Sequence, residues 1–480
     1  MTTQFPQDMD FGGWNAPSRI EADIYDLVVE GTIPEEINGN WYRTTPDPQY
    51  PPRPGTDTYL SGDGMISYFH FENGHVDFKS RYILTERLKN DRAARRSLYG
   101  IYRNPYTDDP SVQGKARGTA NTTPVFHGGK LLCLKEDSRP MEVHPHTLET
   151  IGEWDFDGKL RSETMTAHPR YDHDTGEMYW FGYEAGGLAT DDVAFCVADK
   201  DGNLIREDWF KVPYTAMMHD FLITKEHVIF PVFPTTTNLE RIKAGGPHWV
   251  YEQDLESYVG IMRRDGSVKD MRWFKGPNCM AFHFMNAFTD GEYVHMDFGV
   301  SDVNGFPFIL EASGIQVDPA TIKSHYTRWT FDMTKPGEDF EQNELAPPGD
   351  MPRIAEKDHM RDYDIGYYLR FDPSMGPPNF AGPVGPGMNT ISRLEIKTGK
   401  LKNYMPNNTT TVEEPIHVPS KKPGHEGYLI YVADLHDQGL SDVIILEAEH
   451  VDNGPIATIK MPYRLRTQVH GNWVSAENLR

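Results

Sequence analysis

Short runs of β-branched and aromatic residues recur along this chain: LLCL from Leu131, MYWFGY from Met178, HVIFPVF from His227, YVHMDF from Tyr293, YLIYVADL from Tyr428 and DVIILEA from Asp442. Between them stand tight-turn signals, among them ENGH (Glu72–His75), HGGK (His127–Lys130), DTGE (Asp174–Glu177), KDGN (Lys200–Asn203), RDGS (Arg264–Ser267), TDGE (Thr289–Glu292) and KTGK (Lys397–Lys400). Asp-Gly and Asn-Gly pairs supply the positive φ angles of two-residue antiparallel connections, so the pattern predicts a meandering all-β protein. No Ser/Gly linker or shift in composition interrupts it, which favours one closed domain over residues 1–480. A β-propeller meets that description, because repeated four-stranded sheets around an axis leave few open edges. Helical pattern is scarce. TERLKNDRAARRSL (Thr85–Leu98) is strongly charged and reads as a surface or lid helix, and residues 333–390, rich in Pro and Gly, read as long loops that shape a binding site.

The chain has 71 acidic residues against 47 basic ones, a formal charge of -24. Its long-range field repels phosphates and anionic lipid surfaces, which argues against nucleic acid as a partner. No run approaches the roughly 18 apolar residues of a spanning helix, and MTTQFPQDMDFGG has no signal-peptide character, so a cytoplasmic protein without membrane insertion is expected. Cys133, Cys196 and Cys279 are odd in number and far apart, which suggests buried thiols and neither a disulfide framework nor a paired-cysteine zinc site.

Most of the nineteen histidines need no special explanation, and His75, His127, His173 and His425 lie in turn-like contexts where exposure is expected. Four differ: His168 in MTAHPR, His219 in MMHDF, His283 in CMAFHFMNAF and His470 in RTQVHGNW have apolar or small neighbours and lie near strand edges. One such histidine is ordinarily a hydrogen-bonded core residue; four, in a ring of sheets, can all point at a common axis. Imidazoles suit iron, copper, zinc or nickel, and carboxylates are expected to hold their N–H groups. Glu136 in LKEDSRP, Asp350 in GDMPRI and Glu414 in EEPIHVP are candidates, while Asp220 in MMHDF has no assigned role beyond a backbone donor.

Ten strings, WYRTTPDPQ (Trp41–Gln49), SGDGMI (Ser61–Ile66), GTANTTPV (Gly118–Val125), LKED, TAHPR, MMHDF, FHFMNAF, DMPRI, EEPIHVP and VHGNWV, occur in the order seen in the carotenoid cleavage oxygenases, and the resemblance spans nearly the whole chain. It implies a seven-bladed β-propeller with a helical and loop cap over the active-site face, and Fe(II) held by His168, His219, His283 and His470. Glu136, Asp350 and Glu414 would hold those histidines. The family usually has glutamate where this chain has Asp350, whose shorter side chain then needs a water or a shifted backbone to reach His283. Thr122 resembles a threonine near the open coordination face.

Within the family the chain resembles the bacterial lignostilbene dioxygenases and isoeugenol monooxygenases, through SLYGIYRNPYTDDPSVQG (Ser97–Gly114) and the lysine of LKED. That likeness implies that Tyr102 and Lys135 contact a substrate 4-hydroxyl and assist its deprotonation, and that Leu60 stands where some stilbene cleavers have an aromatic. The implied reaction is cleavage of the central C=C bond of a 4-hydroxystilbene with O₂ to two aromatic aldehydes. Isoeugenol, a vinylphenol or an apocarotenoid is the alternative substrate, and a non-catalytic propeller scaffold the alternative of another class. No amphipathic helix with a basic face is evident, which favours a soluble phenol over a membrane-extracted carotenoid. Oligomeric state is left open, with a homodimer among the alternatives. The ionic alternative for Lys135 is a salt bridge to Glu136 or Asp137.

Overall fold

The structure is a computed structural model that describes residues 4–306, 308–318, 321–376 and 387–479. Every β-rich run named above forms a strand: Lys130–Leu134, Glu177–Tyr183, His227–Val232, Tyr293–Ser301, Tyr428–Leu435 and Leu440–Glu447. Seven of the eight sheets among the described residues have four strands or more. The chain divides into two compact units, Met1–Asp155 with Leu369–Arg393 and Lys402–Arg480, and Phe156–Tyr368 with Leu394–Leu401.

In the first unit the strands Gly64–Glu72 and His75–Tyr82 show how sequence becomes sheet. Asn73 and Gly74 both take positive φ, 51° and 82°, and turn the chain so that Glu72 pairs with His75. Val76, Phe78, Ser80 and Tyr82 then face inward while the alternate residues are partly exposed. Phe69 sits between Trp41, 5.4 Å away centroid to centroid, and Phe78 at 4.9 Å. The same sheet takes in strand Gly39–Pro46 and, beside it, the chain's last strand, Gly471–Ser475, with Trp41 opposite Trp473. The N-terminal strand Val29–Gly31 likewise pairs with Ala457–Lys460.

The second unit contains three four-stranded antiparallel sheets, each in simple sequence order, opened by Arg170–Asp172, Leu222–Ile223 and Phe284–Asp290. His168, His219 and His283 stand one to three residues before those opening strands, at equivalent places in successive sheets. A three-stranded sheet of Thr235–Thr236, Val250–Tyr251 and Leu310–Glu311 lies in the same unit. Its apolar core gathers Phe233, Phe274, Phe284, Phe298, Trp329 and Phe331.

The charged helix forms over Glu86–Ala94, capped by the Thr85 hydroxyl, which accepts from the Leu88 amide at 3.2 Å, and ended by Arg95 at a φ of 53°. Two expectations need correction. Residues 333–390 are not continuous loop: strands Glu341–Ala346, Asp350–Arg353 and Ile365–Arg370 run through them, while 377–386 lie outside the described residues. His127 is not an exposed turn residue; it closes strand Thr123–His127, pairs with Lys130 and is 8 % exposed. The three cysteines are buried thiols. Among the described residues no helix is long and apolar enough to cross a membrane.

Truncating Phe69 to alanine should cost about 3–5 kcal/mol, since it empties a fully buried aromatic site. Thermal denaturation should show a lowered Tm, with metal content per folded molecule unchanged.

Candidate metal centre and lysine pocket

Three imidazoles converge in the second unit. The Nε2 atom of His219 is 3.0 Å from Nε2 of His168 and 3.1 Å from Nε2 of His283. Bonds of about 2.1 Å to a six-coordinate ion put neighbouring ligand atoms about 3.0 Å apart, so this spacing suits a shared metal. Ring nitrogens of His168, His219 and His283 all lie within 4.8 Å of one another, a group that could hold a metal ion.

Asp220 explains how the three rings of that unit are aimed. Its carboxylate accepts two hydrogen bonds from Nη2 of Arg170, at 2.7 and 2.6 Å. It also accepts from the amide of Phe221 at 2.7 Å and from the amide of Phe284 at 3.0 Å. Arg170 in turn donates to the carbonyls of Phe221 at 2.8 Å and Phe284 at 3.3 Å. Phe221 lies two residues past His219, Phe284 one past His283, and Arg170 two past His168. One ion pair therefore ties together the backbone beside all three rings. Thr166 adds a fourth tie, its hydroxyl donating to the His219 carbonyl at 3.1 Å. The acid of MMHDF is thus a clamp, a role that its sequence context did not reveal.

His283 Nδ1 is 2.8 Å from Oδ1 of Asp350. The contact is direct, with no need of the intervening water that the shorter side chain suggested. Burial pushes the Asp350 carboxyl up, but the adjacent His283 and the Met351 amide hold it below its ordinary pKa. An imidazole that gives its Nδ1 proton to a carboxylate keeps the Nε2 lone pair for a metal.

In the first unit, His470 has the same arrangement. Its Nδ1 is 2.8 Å from Glu414 Oε1, while Glu414 Oε2 accepts from the Gly471 amide at 3.0 Å. Neighbouring Glu413 pairs with Arg43 of WYRTTP at 2.6 Å and accepts from the Gln468 amide at 3.2 Å, which fixes the approach to His470. Thr122 contributes through its backbone: its carbonyl accepts from the His470 amide at 3.1 Å, and its amide donates to Leu134 at 2.9 Å.

Lys135, next along from Leu134, is 3 % exposed. Its Nζ donates to the Leu60 carbonyl at 3.2 Å and lies 4.9 Å from the centroid of the Tyr102 ring. The salt bridge to Glu136 or Asp137 does not form; Glu136 instead lies 3.7 Å from the Arg103 guanidinium. Burial lowers the pKa of Lys135 against the opposing pull of Asp137 and Glu136, and burial together with Glu136 raises that of Tyr102 well above its ordinary value. Leu60 acts through its carbonyl, which also accepts from Asn121 at 2.9 Å. Phe282, hidden in FHFMNAF as an apolar neighbour, lies 5.0 Å from the His219 ring and 3.8 Å from Phe306, an aromatic wall beside the imidazoles.

Replacing Asp220 with alanine leaves the Arg170 guanidinium and two backbone amides without their acceptor, and should cost about 3 kcal/mol of stability. Metal titration of the folded variant should show weakened binding, an effect absent from Phe69→Ala.

Residues 15–475 match the family model described as retinal pigment epithelial membrane protein. The chain is 41% identical to lignostilbene-alpha,beta-dioxygenase isozyme III of Sphingomonas paucimobilis, over 99% of each chain. It is 39% identical to isoeugenol monooxygenase of Pseudomonas putida, over 99% of this chain and 100% of that one. The crystal structure of Pseudomonas brassicacearum lignostilbene dioxygenase superposes with a TM-score of 0.94 at 40% identity, covering 99% of this chain and 100% of that one. The fold is accordingly a β-propeller and the protein an enzyme of the oxygenase class. The chain belongs to the retinal pigment epithelial membrane protein family, the carotenoid cleavage oxygenases.

Proposed function

We propose that this enzyme cleaves the C=C bond of 4-hydroxylated stilbenes with O₂, and that residues 1–480 act as one catalytic domain. The observation that carries the phenolic reading is the side-chain amine of Lys135. It is buried with no carboxylate partner among the described residues, spends one donor on the Leu60 carbonyl and lies over Tyr102, so donors remain for a phenol oxygen. In this reading His168, His219, His283 and His470 hold Fe(II), and Glu136, Asp350 and Glu414 steady the imidazoles. Iron, when bound, supplies the activation of O₂.

The protein groups handle the substrate. Lys135, its pKa depressed by burial, accepts the 4-hydroxyl proton, and Tyr102 hydrogen-bonds the resulting oxygen. Negative charge on that oxygen pushes electron density through the ring to the conjugated alkene. Phe282 and Phe306 form an apolar wall that excludes water, and Thr122 lies at the approach to the bond being broken. The alkene carbons separate as each gains one oxygen atom of O₂, which gives two aldehydes, and the proton returns to the phenolate as product leaves.

A second reading, isoeugenol or another single-ring phenylpropanoid, draws on Leu60. An aliphatic side chain there offers no aromatic ring for a stilbene to stack on, and a relative of 39% identity is an isoeugenol monooxygenase.

A 4-hydroxystilbene, isoeugenol and an apocarotenal offered in parallel separate these readings; cleavage of the apocarotenal alone rejects both phenolic ones. Lys135→Met should retain iron while lowering kcat/KM on the 4-hydroxylated substrate by about 10²–10⁴-fold. Because the base must be unprotonated, the parent's rate should rise with pH through the depressed lysine pKa, and the variant should lose that limb. An unchanged rate removes Lys135 from the reaction. His219→Ala should abolish both iron binding and turnover.

A further inference from the structure

Asp350 reaches His283 although it is one methylene shorter than glutamate, and the packing on the neighbouring strand shows how. In strand Tyr293–Ser301, Gly299 stands opposite Tyr326. A Cβ atom on residue 299 would lie 2.7 Å from the carbonyl oxygen of Gly349 and 3.5 Å from Cε2 of Tyr326. The first distance is too short for any real contact, and the obstructing atom belongs to the backbone, so a side chain at 299 would force the residue before Asp350 outward. The segment is drawn in from both sides of Asp350. Tyr368, whose ring packs 4.6 Å from that of Tyr326, donates its hydroxyl to the Pro347 carbonyl at 3.1 Å. On the other side Met351 takes a left-handed φ of 54°, and its amide donates to Asp350 Oδ1 at 2.8 Å, the same oxygen that meets His283.

We propose that Gly299 is a positioning residue for the metal centre. Its missing side chain lets the backbone at 349–351 sit close enough for an aspartate to hold His283 Nδ1. Residues 299 and 350 are then a matched pair: a bare backbone at one position suits the short acid at the other. Adding a methyl at 299 lengthens the gap to the imidazole, and adding a methylene at 350 extends the carboxylate by about 1.5 Å into a space already filled. The two changes made together offset each other.

This rests on the iron reading given above, and the test keeps the two apart. The parent, Gly299→Ala, Asp350→Glu and the double variant are compared by Fe(II) dissociation constant against a competing chelator, and by the visible spectrum of the Co(II)-loaded protein. Gly299→Ala should bind iron about tenfold more weakly or worse, in line with losing a carboxylate that orients a ligand. Asp350→Glu alone should be several-fold weaker. The double variant should bind more tightly than either single variant, with a cobalt spectrum nearer the parent's. A double variant no better than Gly299→Ala overturns the pairing. So does an Asp350→Glu protein that matches or exceeds the parent, a result that stands even if Gly299→Ala does not fold. A parent that takes up no iron refutes the iron reading and the pairing with it, whereas an iron-binding parent without the crossed pattern refutes the pairing alone.

Discussion

The ion pair between Arg170 and Asp220 is the interaction on which the three-imidazole cluster depends. Imidazoles carried on separate sheets have no local reason to point at one another, because each follows its own strand. The pair removes that independence. It buries a carboxylate that would be costly alone, satisfies it with a guanidinium and two backbone amides, and so fixes Phe221 and Phe284 against one another. Arg43 and Glu413 repeat the device on the approach to His470. In both places a charged clamp stands behind the imidazole and sets its direction.

Carboxylates then set the chemistry of the rings. Asp350 and Glu414 each meet the Nδ1 atom of a histidine at 2.8 Å, which leaves the Nε2 lone pair facing inward. The lysine pocket follows the opposite electrostatic rule. Lys135 is buried with no ion pair among the described residues, and burial lowers its pKa. Acid partners steady the imidazoles, whereas Asp137 and Glu136 act on the lysine without forming an ion pair with it.

Much of this was legible in the sequence because it was local or came as strings. Alternating runs and Asn-Gly or Asp-Gly turns report directly on strands, and the four histidines stood out by their apolar surroundings. Asp220 was visible but unreadable, since its partners lie fifty residues upstream and more than sixty downstream. The reach of Asp350 depended on a glycine on another strand, which no reading of GDMPRI contains. His127 looked like a turn residue because two glycines follow it, yet strand pairing carries its ring inward. Proline and glycine content marked 333–390 as loop and hid three strands, since composition does not register the pairing that short segments gain from neighbours.

The pairing of Gly471–Ser475 with Gly39–Pro46 has a consequence for how the protein is made. Throughout synthesis the earlier strand offers an unfilled row of amides and carbonyls, a template for any passing β segment until its own partner emerges from the ribosome. Contacts so distant along the chain form slowly. His470 directly precedes the late strand, so nascent polypeptides lack both the seal of that sheet and its imidazole, and a molecule released early is prone to aggregate before it can bind metal.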